Sequence, residues 1–217
     1  MSIFRRIYHF FAMRNPDGFG ADWIRKHSLT EDDIFALLDG KSVAVIGNAR
    51  ALLETRQGAE IDAHDIVMRI NEAPALGTPG GGSKLDWIAT SMPTRYDHTP
   101  TVLWIGRKVR KIPYDLMLSG RLYVYSRMRR DALSSDLSAR ASTGIMVVEL
   151  LLRSPARSIE LYGFDFYASR SLSGDHTIDT TPHAYGEEKK WIMDRMARDA
   201  RLVVHPMVPE GRAKAGT

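Results

Sequence analysis

The sequence predicts an α/β fold with a Rossmann-like, mostly parallel sheet flanked by helices, and three observations carry that expectation. Val43 to Ile46 is a short apolar run stopped by Gly47-Asn48, the pattern of a strand buried on both faces that ends in a tight loop. Ile66 to Ile70 repeats the pattern and ends on Asn71, before a loop rich in proline and glycine. Ile145 to Leu152 is apolar nearly all round, as a buried helix is. Two strands that finish on asparagine at one sheet edge make a polar crevice.

Composition bounds the rest. With 217 residues, 44% of them hydrophobic, the chain is long enough for one sizeable core. The expected organisation is a basic amphipathic segment over 1–20, a single α/β domain over 21–208 and a flexible tail over 209–217. There are no cysteines, which excludes disulfides, thiolate metal sites and cysteine nucleophiles and suits a reducing compartment, so a cytoplasmic location is expected. A formal charge of +4 suits nucleic acid, an acidic membrane surface or a phosphorylated substrate. Aromatic residues are not interleaved with the basic runs as in RNA-binding modules, so no nucleic-acid partner is expected. No apolar run approaches the roughly 20 residues that span a bilayer.

The elements follow in order. Met1 to Arg14 sets Ile3, Phe4, Ile7, Tyr8, Phe10 and Phe11 on one broad helical face beside Arg5, Arg6 and Arg14, which suits an anionic membrane interface and equally a helix packed on the domain. Asn15 to Gly20 reads as a turn-rich break. Thr30 caps a helix, with Asp33 in a capping-box position and Gly40 at its end. Ala75 to Ser83 is so rich in glycine that it reads as a flexible loop closing over a ligand, although it lacks the order of a Walker loop. Leu85 to Ala89, Thr101 to Ile105 and Leu122 to Ser126 are further strands, and Tyr125 lies at the end of the last. Arg107, Lys108, Arg110 and Lys111 form a basic cluster, and Arg127, Arg129 and Arg130 follow Ser126. Ser142 is a good N-cap for the apolar helix, Gly144 lets a ligand approach the backbone, and the first-turn amides favour an anion. Ser158 to Phe164 gives another strand. Asp165 to Pro182 is polar, a helix runs from His183 to about Ala200, and Arg201 to His205 closes the sheet.

Several of these segments, taken together, resemble the motifs of family 29 sialyltransferases. Val43-Ala-Val-Ile-Gly-Asn48, Gly58-Ala-Glu-Ile-Asp62, His64-Asp65, Arg69-Ile-Asn71-Glu-Ala-Pro74 and Gly82-Ser-Lys84 resemble the large sialylmotif. Ala141-Ser-Thr-Gly144 with its helix, and Ser158-Ile-Glu-Leu-Tyr-Gly-Phe164, resemble the small one. His183 followed five residues later by Glu188 is similar to the very short motif. His176 stands where a further motif histidine is sought, without the neighbouring aromatics and unusually close to His183. The chain looks like a short, bacterial-type member, with trimmed acceptor loops and without the disulfide that joins the two large motifs in animal relatives.

The resemblance implies a fold related to the GT-A type and inverting transfer of sialic acid, or a related nonulosonic acid, from a CMP-sugar to a saccharide or glycolipid hydroxyl. It implies His183 as general base with Glu188 beside it, and donor binding by Asn48, Asn71, Ser142, Thr143, Gly144, Gly163, His176 and Tyr125. A histidine suits the base because its ordinary pKa of about 6.5 lies near working pH. No cofactor or metal is expected, because a monophosphate leaving group carries less charge than a diphosphate and no Asp-X-Asp sits on a strand end. Asp62, Asp65 and Arg69 read as structural pairs. Glu188 has two open readings, orienting His183 or capping the helix. The alternatives are a CMP-Kdo-dependent transferase, a nucleotide- or glycan-binding protein without turnover, and a basic module bound to a membrane surface or nucleic acid. Residues 1–14 are the expected membrane contact, on the inner membrane face.

Overall fold

Short runs of buried β-branched residues become strands because only a fully paired extended chain can lie between two layers without unmet backbone polar groups. The computed structural model describes residues 3–16, 18–94, 100–165 and 185–207. Seven strands, β1 (Ser42–Ile46), β2 (Ile66–Ile70), β3 (Trp87–Thr90), β4 (Thr101–Trp104), β5 (Leu122–Val124), β6 (Ser158–Tyr162) and β7 (Leu202–Val204), form one sheet in the order β5-β4-β3-β2-β1-β6-β7. Every neighbouring pair is parallel. The α/β expectation holds, and each strand read from the sequence is present with its ends shifted by no more than two residues.

Alternation along the strands sorts the core into two layers. Val43 and Val45 of β1, Met68 of β2, Ala89 of β3 and Leu161 of β6 face one side. There they meet α3 (Glu31–Leu38), α6 (Arg127–Asp136), α7 (Thr143–Arg153) and α8 (Tyr185–Met196) through Ile34, Leu133, Val147 and Ile192. On the other side Ala44, Ile46 and Val67 pack on Ile61 of α4 (Gly58–Asp62). Ile88, Val102 and Trp104 pack there on Met117 of α5 (Tyr114–Met117) and on Met13, which follows α1 (Ile3–Ala12). Trp23 of α2 (Phe19–His27) joins that cluster.

The α3 cap forms as expected. Thr30 Oγ1 accepts from the Asp33 amide at 3.1 Å, and Asp33 accepts from the Thr30 amide at 2.8 Å.

Three expectations need correction. The stretch from Ala75 to Ser83 is packed rather than loose: Gly80, Gly81 and Gly82 are buried. A Cβ on Gly80 would lie 2.0 Å from the Leu52 carbonyl oxygen, and Asp62 accepts from the amides of Ser83 at 2.8 Å and Lys84 at 2.9 Å. Its glycines serve close backbone packing instead of mobility. The break from Asn15 to Gly20 ends early, since α2 begins at Phe19. Gly20 brings α2 against α1, where a Cβ would sit 2.0 Å from the Ala12 oxygen. The last helix ends at Met196 rather than near Ala200, and Asp199 then turns back to pair with Arg201 at 2.7 Å.

Candidate active site

The strand order reverses at β1. From β1 the chain steps outward to β5 on one side, then crosses to β6 and β7 on the other. In an open parallel sheet the carboxyl ends flanking such a reversal diverge and leave a crevice for a ligand. Here the crevice lies beyond Ile46 and Tyr162, which pair across β1 and β6.

Two glycines shape its floor. The Gly47 amide donates to the Tyr162 oxygen at 2.7 Å, and the Ala49 amide donates to the Gly163 oxygen at 3.2 Å. A Cβ on Gly47 would fall 2.3 Å from that Gly163 oxygen. Gly163 itself has φ +71°, a conformation side chains rarely adopt. Its expected role was to admit the donor closely. What the backbone admits closely is Gly47, together with Leu52, whose Cδ2 would lie 3.0 Å from a Cβ on Gly163.

Asn48 follows at once. Its Oδ1 is buried and has no hydrogen-bond partner among the described residues. A buried carbonyl oxygen left in this state is costly and calls for a donor. The last β1–β2 pair is Ile46 with Arg69, and Asn48 and Asn71 each stand two residues beyond it. Asn71 takes φ 57° while its amide still donates to Ala89 at 2.8 Å, so β2 turns sharply at its last sheet hydrogen bond. Asparagine tolerates this left-handed conformation better than most side chains.

The third wall is the start of α7. A Cβ on Gly144 would lie 3.0 Å from the Phe164 ring and 3.6 Å from Ile70, so the helix entrance touches the ends of both β6 and β2. The amides of Thr143 and Gly144 make no hydrogen bond among the described residues and carry the positive end of the helix dipole. Ser142 differs from the expectation of a donor-binding residue. Its amide and hydroxyl both donate to Glu188, at 2.8 and 2.7 Å, while its oxygen caps Ile145 at 3.3 Å.

Glu188 therefore clamps the α7 N-cap from the first turn of α8. It is 4% exposed. Burial raises its carboxyl above the usual range, and the two bonds from Ser142 only partly offset this. Its observed contact is with the N-cap residue of another helix, α7, and not with the end of its own helix α8. His183 and His176 lie outside them.

Tyr125 is not brought to the crevice. It is 1% exposed, and its hydroxyl donates to Glu149 at 2.7 Å. Burial, followed by that bond, pushes its pKa far above the ordinary value. At about 4.8 Å per strand, the end of β5 stands roughly 19 Å from that of β1.

The structural pairs are as expected. Asp65 accepts from Ser42 at 2.8 Å and meets Arg157 at 3.1 Å. Buried Arg69 donates to the Lys84 oxygen at 2.9 Å and attracts Asp62 electrostatically. Most basic residues after β4 and β5 are exposed, and Arg130 is buried. Arg107, Arg127 and buried Arg130 line a cleft of about 430 Å³ beside Asp131.

Sequence reasoning gave no role to Gly47 or Phe164, although both stand within the quoted motifs. A glycine directly after each of two strands was the available signal.

Comparison with known proteins agrees with this geometry. Residues 35–79 match the model of glycosyltransferase family 29 (sialyltransferase). Those residues carry β1, Asn48, α4, β2 and Asn71. The fold matches the crystal structure of a mammalian sialyltransferase and that of a mammalian sialyltransferase in complex with Gal-beta-1-3GalNAc-ortho-nitrophenol. The TM-score is 0.69 in both cases, with 18% identity over 94% of this chain and 86% of the other. Sialyltransferase-like protein 5 of Oryza sativa subsp. japonica is 40% identical over 73 residues, covering 30% of this chain and 15% of the relative. Sialyltransferase-like protein 1 of Arabidopsis thaliana is 41% identical over 64 residues, covering 25% and 14%. The matched region thus spans about one seventh of the curated relatives' length. The fold is that of an α/β protein with one parallel sheet, shared with the mammalian sialyltransferase structures. The resemblance to glycosyltransferase family 29 is carried by residues 35–79, the stretch its model matches.

Proposed function

We propose that this protein transfers sialic acid or a related nonulosonic acid, with the octulosonic acid Kdo as the alternative donor sugar, from a CMP-sugar to a saccharide hydroxyl with inversion and without a catalytic metal. The observation that carries the reading is the buried Oδ1 of Asn48 at the switch point, which has no partner among the described residues. An acceptor atom there suits a hydroxyl or amine of a cytidylate. The amides of Thr143 and Gly144, without a partner among the described residues, suit the phosphate, whose negative charge grows as it leaves.

In this reading the acceptor oxygen forms a bond to the anomeric carbon as the bond from that carbon to the phosphate oxygen breaks. His183 takes the hydroxyl proton, and CMP departs with the electron pair. Amides and an asparagine can meet a monophosphate's charge, so no cation is required for the step. Glu188 fixes the α7 entrance through Ser142, which keeps the two amides aimed. The mammalian relative was solved with a Gal-beta-1-3GalNAc compound. A galactoside is therefore the first acceptor to try.

The test is a transfer screen with CMP-Neu5Ac and CMP-Kdo in the presence of chelator. The wild type should turn over one donor, and His183→Ala should lose about 10²–10⁴-fold of the rate with its fold retained. Asn48→Ala should weaken CMP binding without lowering Tm, because the lost oxygen has no partner among the described residues. Absence of transfer and hydrolysis with both donors would overturn the reading. Tight CMP binding without turnover would favour a binding protein instead.

Membrane contact belongs to the same proposal. In α1 the packed side is narrow, with His9, Ala12 and Met13 buried. Ile3, Phe4, Ile7, Phe10 and Phe11 are between 48 and 78% exposed, with Arg14 beside them. Among the described residues no helix is long and apolar enough to cross a membrane. Apolar side chains next to arginine suit the interface of an anionic leaflet, here proposed as the cytoplasmic one. Co-sedimentation with vesicles rich in phosphatidylglycerol should fall when Phe4 and Phe11 are both replaced by Ser. Equal binding of that variant would refute the contact.

A further inference from the structure

Away from the crevice, on the sheet face that carries α4, four titratable side chains converge between α4, β6 and β7. Alternation along β6 turns Ser158, Glu160 and Tyr162 to this face while Ile159 and Leu161 enter the opposite core. Glu60 comes from α4, His64 from the turn after it, and His205 from the residue after β7. The ligand atoms of Glu60, Glu160 and His205 all lie within 4.8 Å of one another. His205 Nε2 is 2.9 Å from Glu160 Oε2, and its Nδ1 is 3.4 Å from Glu60 Oε1.

His64 supplies a second, independent observation. Its Nδ1 lies 3.1 Å from the Glu60 carbonyl oxygen and 3.2 Å from that of Ile61. Carbonyl oxygens only accept, so this nitrogen carries the hydrogen. In the neutral ring Nε2 then presents a lone pair, and it faces Glu160 Oε1 at 3.3 Å. Two acceptors held this close require positive charge between them, which a second ring proton or a metal cation supplies. A histidine that donates one ring hydrogen to a backbone carbonyl and turns the other nitrogen toward carboxylates has the arrangement of a metal-ligating histidine. With bonds of about 2.0–2.2 Å, neighbouring ligand atoms around a tetrahedral zinc sit about 3.3–3.6 Å apart, close to the spacing here.

We propose that Glu60, Glu160 and His205, with His64 adjoining through Glu160, form a binding site for a divalent transition-metal cation of the zinc type. Imidazole mixed with carboxylate favours such a cation over calcium or magnesium. Tyr162 places its hydroxyl 3.1 Å from Glu60 and 3.3 Å from Glu160, which steadies the carboxylates. The cation would tie α4, in the crossover from β1 to β2, to the edge strand β7. Its role is structural, since the four side chains lie on the sheet face and not among the groups proposed to handle the donor.

The experiment is a calorimetric titration of the chelator-stripped full chain with zinc chloride, paired with the visible spectrum of the cobalt(II) form. One equivalent should bind, zinc should raise Tm, and His205→Ala and Glu160→Gln should each weaken binding at least tenfold and abolish the Tm rise. If His205→Ala fails to fold by circular dichroism, Glu160→Gln and the cobalt spectrum decide. Absence of stoichiometric binding, or equal affinity in Glu160→Gln, overturns the site. So does loss of binding in His176→Ala/His183→Ala, which would put the ligands elsewhere.

Discussion

At the scale of single residues, the crevice depends on atoms that are missing. Gly47 has no room for even one methyl group, because the Gly163 carbonyl stands where the Cβ would go and is held there by the β6 backbone. Gly47→Ala should therefore force β1 and β6 apart at their carboxyl ends. Thermal unfolding should show a loss of about 2–3 kcal/mol, or roughly 4–12 °C in Tm for a chain of this length. An unchanged Tm would show that the two strand ends yield easily. Residues of this kind were half legible in the sequence: the position of Gly47 and Asn48 after an apolar run marked a tight loop, but not what the glycine had to approach. Glu188 shows the same limit. Its spacing from His183 is visible in the sequence, whereas its grip on Ser142, 46 residues away, depends on how α8 docks on α7.

At the scale of elements, strongly patterned segments were read well and thinly patterned ones were not. α3 carries its own start signal, and α7 is apolar enough to need no partner information. α6 buries only Arg130 and Leu133, so its sequence shows arginines and serines where a helical stripe would be sought. α2 was hidden by the glycine that lets it pack. The α1–α2 pair has a built-in acid sensitivity. His9 Nδ1 accepts from Trp23 Nε1 at 3.2 Å, so its Nε2 carries the hydrogen and meets the Ile112 oxygen at 3.3 Å. Burial first, and His27 to a lesser degree, lower its pKa; the Ile112 bond opposes them. The unfolded chain therefore takes up the proton more readily than the folded one. The contribution is complete above the unfolded value of about 6.5 and is lost as pH falls through the lower folded value. The Trp23 fluorescence transition should move to lower temperature on acidification through that window, and the movement should be smaller in His9→Gln.

At the scale of the whole molecule, one ion network joins distant parts of the chain on the helical layer of the first core. Arg153 at the end of α7 donates to Glu31 of α3 at 2.9 Å and to Glu149 at 2.8 Å, and Glu149 accepts from Tyr125 of the β5 end. The hydrogen bond from Arg153 holds Glu31 below the usual carboxylate range, against the desolvation that opposes it. A depressed carboxyl stabilises the fold above its unfolded value and loses that contribution as pH falls through the folded value. The wild type should lose stability on acidification below about pH 4.5, and Arg153→Met should lose less over the same range in urea melts. Equal slopes would assign the acid sensitivity elsewhere.

By itself the sequence determined the parallel α/β class, the two asparagine-tipped strands, the α7 entrance and the family motifs. All of these are written in local runs whose burial and turn chemistry need no distant partner. Only the tertiary structure decided that Gly47 meets Gly163, that the glycine-rich loop packs, that Tyr125 points into the core and that Glu60, His64, Glu160 and His205 meet. Those facts arise from the strand order, which places β6 beside β1 although more than a hundred residues of chain lie between them. No local pattern encodes such a neighbour.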